Sequence, residues 1–224
     1  MGKPTMMFYH DGRHNHIYMY EPPMQKEEYE AAINELSGTT VEAVMFGLAE
    51  GRTFLHDTKA GELWGHNVEK WPHLIWRRTH QNAKHLIESG NDPLMLVCKR
   101  AHEKGMLLYP TLLVQVGSDE RGDERATWVR CSNFRFDNKH LEIRASGDLD
   151  PNGPGFDGLD FKHQEVRDER FSIVEEVVTN YPVDGLELAM NNAPLYFHPD
   201  EIESGRNIMT EWIERVHEVV RRSG

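Results

Sequence analysis

Glu187 is the residue whose type and setting most directly imply chemistry. It lies in Val183-Asp184-Gly185-Leu186-Glu187-Leu188-Ala189-Met190, a mostly apolar stretch broken by carboxylates. In a strand, side chains alternate between faces. Leu186 and Leu188 then share one face, and Gly185, Glu187 and Ala189 share the other. A carboxylate pointing into an apolar interior is costly to desolvate, so it needs an ionic partner or a function. Near the C-terminal end of a barrel strand, that function is catalysis or ligand binding. The alternative is a salt-bridged structural residue deeper in the barrel. Asn191 and Asn192 continue onto the next loop, where they suit either a polar ligand or a turn.

A second polar cluster, His10-Asp11-Gly12-Arg13-His14-Asn15-His16, ends the first apolar run. Three histidines and an aspartate have the chemistry of metal ligands. Their spacing matches no helical ligand pair, so no metal is expected, and no cofactor. Asp11 and His10 stand at the strand end and are better substrate contacts than His14 or His16. Further along come Arg52, His56, Asp57, Trp64 and His66. Charged groups with an aromatic ring suit a sugar, the ring on its apolar face and the polar groups on its hydroxyls. A loop packed on its own Trp64 and Phe54 is the other reading. Trp128 is open to the same two readings, and Gln115 ends the third apolar run. Cys98 has no neighbouring base in sequence to make it a nucleophile.

These residues hang on an alternating pattern. Short apolar runs at 5–10, 41–48, 106–116 and 183–190 read as strands. Helical periodicity covers 25–36, 75–89, 94–104, about 160–179 and about 201–222. Pro93 after Asp92 is a helix start, and Asp160 is a candidate cap for the fourth of these. The polar segment 117–158 reads as loop, with a short hairpin near 133–143. Continuous apolar strands alternating with helices predict a parallel sheet covered by helices. The long strand-to-helix loops and short returns fit an α/β fold of the (β/α) TIM-barrel type, with its site on the strand C-terminal face. Only four βα units fit in 224 residues, half of a barrel. A half barrel leaves two open edges and an apolar inner face. The expectation is therefore one incomplete barrel-like domain over 1–224, closed either by a second copy or by a missing C-terminal half.

Twenty-five basic against 37 acidic residues give a net charge of -12, which argues against a nucleic-acid partner. No run is apolar enough for a membrane span, and Met1-Gly2-Lys3-Pro4-Thr5-Met6 opens no signal peptide. The default expectation is the cytoplasm, or secretion if a leader was removed. Two cysteines, Cys98 and Cys131, form no disulfide framework.

A set of short motifs adds to this reading. They are Pro22-Pro23-Met24, Leu36-Ser37-Gly38-Thr39, Glu50-Gly51-Arg52, Asp92-Pro93-Leu94 and Glu103-Lys104-Gly105. Leu159-Asp160-Phe161, His163-Gln164-Glu165-Val166-Arg167 and Tyr181-Pro182-Val183-Asp184-Gly185-Leu186-Glu187-Leu188 follow in order. In this order the chain resembles the family 10 glycosyl-hydrolase-like barrel proteins of bacteria. The resemblance implies a barrel continuing past residue 224 and a carbohydrate ligand. That family carries an Asp two residues beyond the strand-four Glu, where this chain has Ala189. Its third strand ends in an Arg-x-Asn-Asp-like run, where this chain has Leu113-Val114-Gln115-Val116. The expected activity is hydrolysis of a glycosidic bond by paired carboxylates, Glu187 with Asp11. His10, Arg52, His66, Gln115 and Asn191 are the expected substrate contacts. The alternatives are a non-catalytic carbohydrate-binding barrel and a metal-dependent sugar isomerase-like barrel.

Overall fold

The computed structural model describes residues 3–14, 19–48, 52–71, 73–115, 132–150, 153, 155, 157–191 and 195–223. Asn15, His16, Val116, Trp128, Cys131 and Asn192 lie outside these ranges. Four strands, β1 (Met7–His10), β2 (Ala43–Gly47), β3 (Leu107–Leu113) and β4 (Glu187–Ala189), form one parallel sheet in the order β1-β2-β3-β4. Between them run α1 (Lys26–Tyr29), α2 (Ala31–Asn34), α3 (Leu74–Glu88), α4 (Pro93–Glu103), α5 (Asn133–Asp137) and α6 (Gln164–Asn180). The last helix, α7 (Ile202–Ser223), follows β4. Consecutive parallel strands with helical crossovers make this half of a (β/α) barrel.

The core lies between the sheet's outer face and the helices. Val44 and Phe46 of β2 and Leu108 and Leu112 of β3 meet Ile33, Val97, Val174, Val177 and Val216, all buried. Fully burying each such side chain contributes roughly 1.5–3 kcal/mol before chain entropy is charged against it. Local signals explain the helices. The Asp92 carboxylate accepts from Met95 N at 2.8 Å and Pro93 opens α4, as its sequence predicts. Asp184 sets the entry to β4: its carboxylate accepts from Leu108 N and pairs with His102 Nε2, both at 2.8 Å. Those bonds lead to the register that puts Glu187 opposite Thr111.

The strand expected over 183–190 is confined to Glu187–Ala189, and three further local expectations differ from the structure. The helix expected over 25–36 is two single turns, α1 and α2. Its hydrogen bonds tighten to i→i+3, Ile33 N to Glu30 O and Leu36 N to Ile33 O. The helix expected from Asp160 begins at Gln164, because the Asp160 carboxylate turns back to Lys162 N at 2.9 Å instead. The hairpin expected near 133–143 is α5 followed by 3-10 turns at Lys139–Leu141 and Ile143–Ser146. Ser132 Oγ accepts from Arg135 N at 3.2 Å, and Glu62 accepts from Asn133 N and Phe134 N at 2.9 and 3.1 Å. A carboxylate from the preceding loop thus satisfies donors that a strand would have paired with its neighbour.

The turn after β1 folds over the end of β2. Gly12 has φ +77°, and a Cβ there would lie 1.9 Å from the Gly47 carbonyl oxygen. Gly12→Ala is therefore expected to cost on the order of 3 kcal/mol, from left-handed strain plus a backbone clash. Thermal unfolding of the variant checks this, and a melting temperature equal to the parent's would contradict it.

Candidate functional site

The inner face of the sheet is built in rows. Tyr9, Met45 and Tyr109 align in register and share the face opposite the core. One step toward the strand C-termini, Gly47, Thr111 and Glu187 align. Asp11 follows β1 at this level, and a Cβ on Gly47 would lie 2.5 Å from the Asp11 carbonyl oxygen. Gly47 leaves the middle of this row without a side chain. A Cβ on Gly185 would lie 2.8 Å from the Tyr109 ring, so that ring uses the space that Gly185 leaves.

Glu187 is half-buried on this inner face, and its Oε2 accepts from Thr111 Oγ1 at 2.5 Å. Thr111 is fully buried and fixes the carboxylate's orientation. The Asp11 carboxylate accepts from Arg13 N, His14 N and Arg13 Nε, each at 3.2 Å, and pairs with His14 Nδ1 at 3.0 Å. It organises its own turn. Partial burial, then the Asp11 and Glu187 charges, push the Tyr9 phenol above its ordinary range. Both carboxylates therefore act on the same tyrosine.

The expected substrate contacts are distributed differently. His10 faces the helical layer: its ring stacks on Phe46 at 5.0 Å, and its Nδ1 accepts from Gly12 N at 3.0 Å. Burial pushes its pKa down. Arg52 and Gln115 come together, but in a buried brace. Arg52 Nη2 donates to Gln115 Oε1 at 3.1 Å and Nη1 to Glu169 Oε2 at 2.9 Å, while Gln115 Nε2 donates to the Leu159 carbonyl at 2.6 Å. Arg170 grips the same Glu169 through Nε and Nη2 at 2.6 and 2.7 Å. Burial opposes a charge on Glu169, but the Arg170 and Arg52 guanidiniums outweigh it and lower its pKa. With Arg52 only 1% exposed, a sugar hydroxyl would have to displace one of these bonds. His66 is held within its own loop, its Nε2 on Glu62 at 2.9 Å and its Nδ1 on the Leu63 carbonyl at 2.8 Å, and Asn133 Nδ2 meets its Nε2 at 3.0 Å. The Glu62 bond is the main cause of its raised pKa. Asn191 is exposed just past β4. Among the described residues, no three His, Cys, Asp or Glu side chains converge as metal ligands. Burial pushes the Cys98 thiol up to about 12.

Sequence reasoning missed Thr111, Tyr9 and Tyr109. A signal existed for two of them. Thr111 is the lone hydroxyl-bearing aliphatic in an apolar strand, and Tyr9 is two residues before Asp11, on the same face.

The loop after β2 is anchored on α6 by Glu176. Its carboxylate accepts from Thr58 Oγ1 at 2.6 Å, Lys59 N at 2.5 Å and Ala60 N at 3.0 Å, with His56 Nε2 at 3.8 Å. Burial works against its charge, but these partners win and hold its pKa at about 2 instead of the ordinary 4.5. A depressed carboxylate pKa supplies stability that is present above the unfolded-state value and lost as pH falls through the folded one. Between pH 4.5 and 2 the parent is expected to lose stability that Glu176→Gln has already lost. Urea midpoints across that range check it: the gap between the two proteins should narrow toward pH 2.

No family model matches the chain. Over 141 residues it is 28% identical to the glycosyl hydrolase DigH of Escherichia coli, an alignment covering 56% of this chain and 27% of DigH. The DigH of Shigella flexneri matches to the same extent. The chain thus spans about a quarter of the length of these curated relatives. Among solved structures, alpha-L-fucosidase isoenzyme 2 from Paenibacillus thiaminolyticus aligns with a TM-score of 0.57 at 14% identity. That alignment covers 96% of this chain and 30% of the fucosidase. The GH36 alpha-galactosidase AgaA from Geobacillus stearothermophilus aligns with a TM-score of 0.50 at 12% identity, covering 97% and 26%. At these identities the likeness is one of fold: the chain has a glycoside-hydrolase-like partial barrel. Among the described residues, no helix is long and apolar enough to cross a membrane.

Proposed function

We propose that the chain binds carbohydrate at the C-terminal rim of its sheet and hydrolyses a glycosidic bond with Glu187 and Asp11. The observation that carries this reading is the Glu187 carboxylate on the inner face, oriented by Thr111. Family 10-like membership, suggested by the motif order, belongs to the same proposal. Glycoside hydrolysis takes two carboxyl groups, one giving a proton to the leaving oxygen and one serving the anomeric carbon. Both Asp11 carboxylate oxygens already accept from groups of their own turn. The donor role is therefore assigned to Glu187, whose bond to Thr111 is made through Oε2. As the C–O bond breaks, the proton from Glu187 goes to the departing oxygen. Asp11 then faces the positive charge that develops on the sugar ring, and a water bonds its oxygen to the anomeric carbon while its proton passes to the Asp11 carboxylate. The Tyr9 and Tyr109 rings, together with Met45, offer a floor for an apolar sugar face. Of the substrate contacts expected from sequence, Asn191 remains a hydroxyl partner here. His10, Arg52, His66 and Gln115 shape the rim from behind. The occupant of the open inner face is either a second copy or a C-terminal half.

A second reading, binding without turnover, is favoured by Ala189 and by the use of the Asp11 lone pairs within its own turn. Reducing-end release from a panel of neutral oligosaccharides, beside calorimetry on the same panel, separates the two. Hydrolysis that falls at least 100-fold in Asp11→Asn supports the first, on the usual scale for one acid–base group. Binding with no hydrolysis supports the second, and its conversion to turnover by Ala189→Asp would show that only the acid was lacking. Neither binding nor hydrolysis sinks both.

A further inference from the structure

We infer that His10 is a positioning residue for Asp11: its uncharged ring, with the proton on Nε2, holds the Asp11–Gly12 turn against the end of β2, and taking up a second proton releases that turn. The consequence for hydrolysis rests on the proposed sugar chemistry. The coupling between ring and turn does not.

Gly12 N donates to His10 Nδ1 at 3.0 Å. A backbone N–H can only donate, so Nδ1 presents its lone pair and the ring proton sits on Nε2. The bond reaches two residues along the chain, as in an Asx turn, with an imidazole nitrogen as the acceptor. The ring is itself held in place. It is 9% exposed and stacks on Phe46 of β2 at 5.0 Å, with 4° between the planes.

The turn at the other end of this bond is closely packed. A Cβ on Gly12 would run into the Gly47 carbonyl oxygen, and one on Gly47 into the Asp11 carbonyl oxygen. The Tyr29 hydroxyl donates to the Gly12 carbonyl at 3.4 Å. Asp11 lies between His10 and Gly12, so these contacts set its place beside the row of Gly47, Thr111 and Glu187. A doubly protonated imidazole has two N–H donors and no acceptor. It would set a donor against the Gly12 N–H, and the turn has to lift away.

The surroundings keep the ring neutral at neutral pH. Burial is the largest influence and lowers the His10 pKa from its ordinary 6.5. The Asp11 carboxylate and that of Glu35, just past α2, favour the charged ring, and His14 opposes it. Arg13 and His14, on the turn itself, both pair with Asp11. Tyr29 of α1 stays uncharged, because burial raises its pKa well above 10.0. From β2, the apolar ring of Phe46 meets the imidazole. A histidine pKa lowered by folding means that the seated turn is fully favoured above pH 6.5 and lost as pH falls through the lowered value.

Nitrogen NMR of the whole chain with isotope-labelled histidine tests the ring directly. At neutral pH His10 should show a protonated Nε2 and a bare Nδ1. The opposite tautomer, or a charged ring, would overturn the proposal. Below pH 6.5 the Gly12 amide signal should move together with the His10 ring. In His10→Asn the side-chain oxygen accepts from Gly12 N without titrating, so that step should be absent. An identical step in both proteins would belong to another group and overturn the proposal. His10→Phe keeps a ring on Phe46 but has no acceptor. With the parent's circular dichroism, it should exchange the Gly12 amide about 3–10-fold faster, the scale of one lost hydrogen bond. Exchange as slow as the parent's would overturn the coupling. On a glycoside that the parent cleaves, His10→Phe should lower kcat about 10–100-fold with KM near the parent's. His10→Asn should restore most of kcat and hold it to lower pH than the parent does. Parental kcat in His10→Phe would remove the positioning role. A parent inactive on every glycoside would sink the sugar chemistry, with the coupling of ring and turn decided by the NMR result.

Discussion

Glu169→Gln is expected to destabilise the protein by about 3–5 kcal/mol, the loss that follows when one member of a buried ionic group is removed. Glu169 is shared by two guanidiniums, Arg52 and Arg170, which are 1% and 0% exposed. The amide retains some hydrogen bonds but no charge, so both buried guanidiniums lose the attraction of the Glu169 carboxylate. For a chain of this length each kcal/mol moves the melting temperature by roughly 2–4 °C, so a fall of about 10 °C or more is expected. The exposed pair of Arg215 and Asp168, whose side chains are 47% and 45% exposed, is the control. Asp168→Asn should change stability by about 0–1 kcal/mol, because solvent screens that pair. Urea unfolding of the three proteins decides it, and a Glu169→Gln midpoint matching that of Asp168→Asn would remove the brace from the stability of the fold.

Glu187→Gln should lower kcat on any glycoside the parent cleaves by about 10³-fold, within the range for loss of a general acid. KM should change little, because the amide keeps the shape and accepts the Thr111 hydrogen bond. Stability should also stay within about 1 kcal/mol, since a half-buried side chain with one such bond is at stake. Thr111→Val removes only the hydroxyl that orients the carboxylate. It should reduce kcat by about 10–100-fold, as small misplacement of a reacting group does, with KM near the parent's. Single-turnover rates with matched unfolding curves separate these outcomes from misfolding. Parental turnover in Glu187→Gln would take Glu187 out of the mechanism.

The carboxylate brace shows where reading the chain reached its limit. Arg52 and Gln115 are polar residues on long loops, which made them substrate candidates. Their partner Glu169 stands 117 positions after Arg52, on a helix whose surface pattern gives no hint of the pairing. His66 and α5 repeat the point: the Glu62 carboxylate caps a helix 71 positions later in the chain and so displaces the expected hairpin. Tyr9 and Thr111 were legible in principle, because strand parity puts them with Asp11 and Glu187, but only the register between strands aligns those rows.

The sequence by itself determined what depends on neighbours along the chain. The apolar runs of β2 and β3, the Asp92–Pro93 start of α4, the order of parallel βα units and the side of β4 that carries Glu187 all follow from periodicities of a few residues. The tertiary structure decided which charges are spent inside the fold and which face the open sheet. That choice depends on ion pairs and hydrogen bonds between residues far apart in the chain, whose energies exist only once both partners are desolvated in one place.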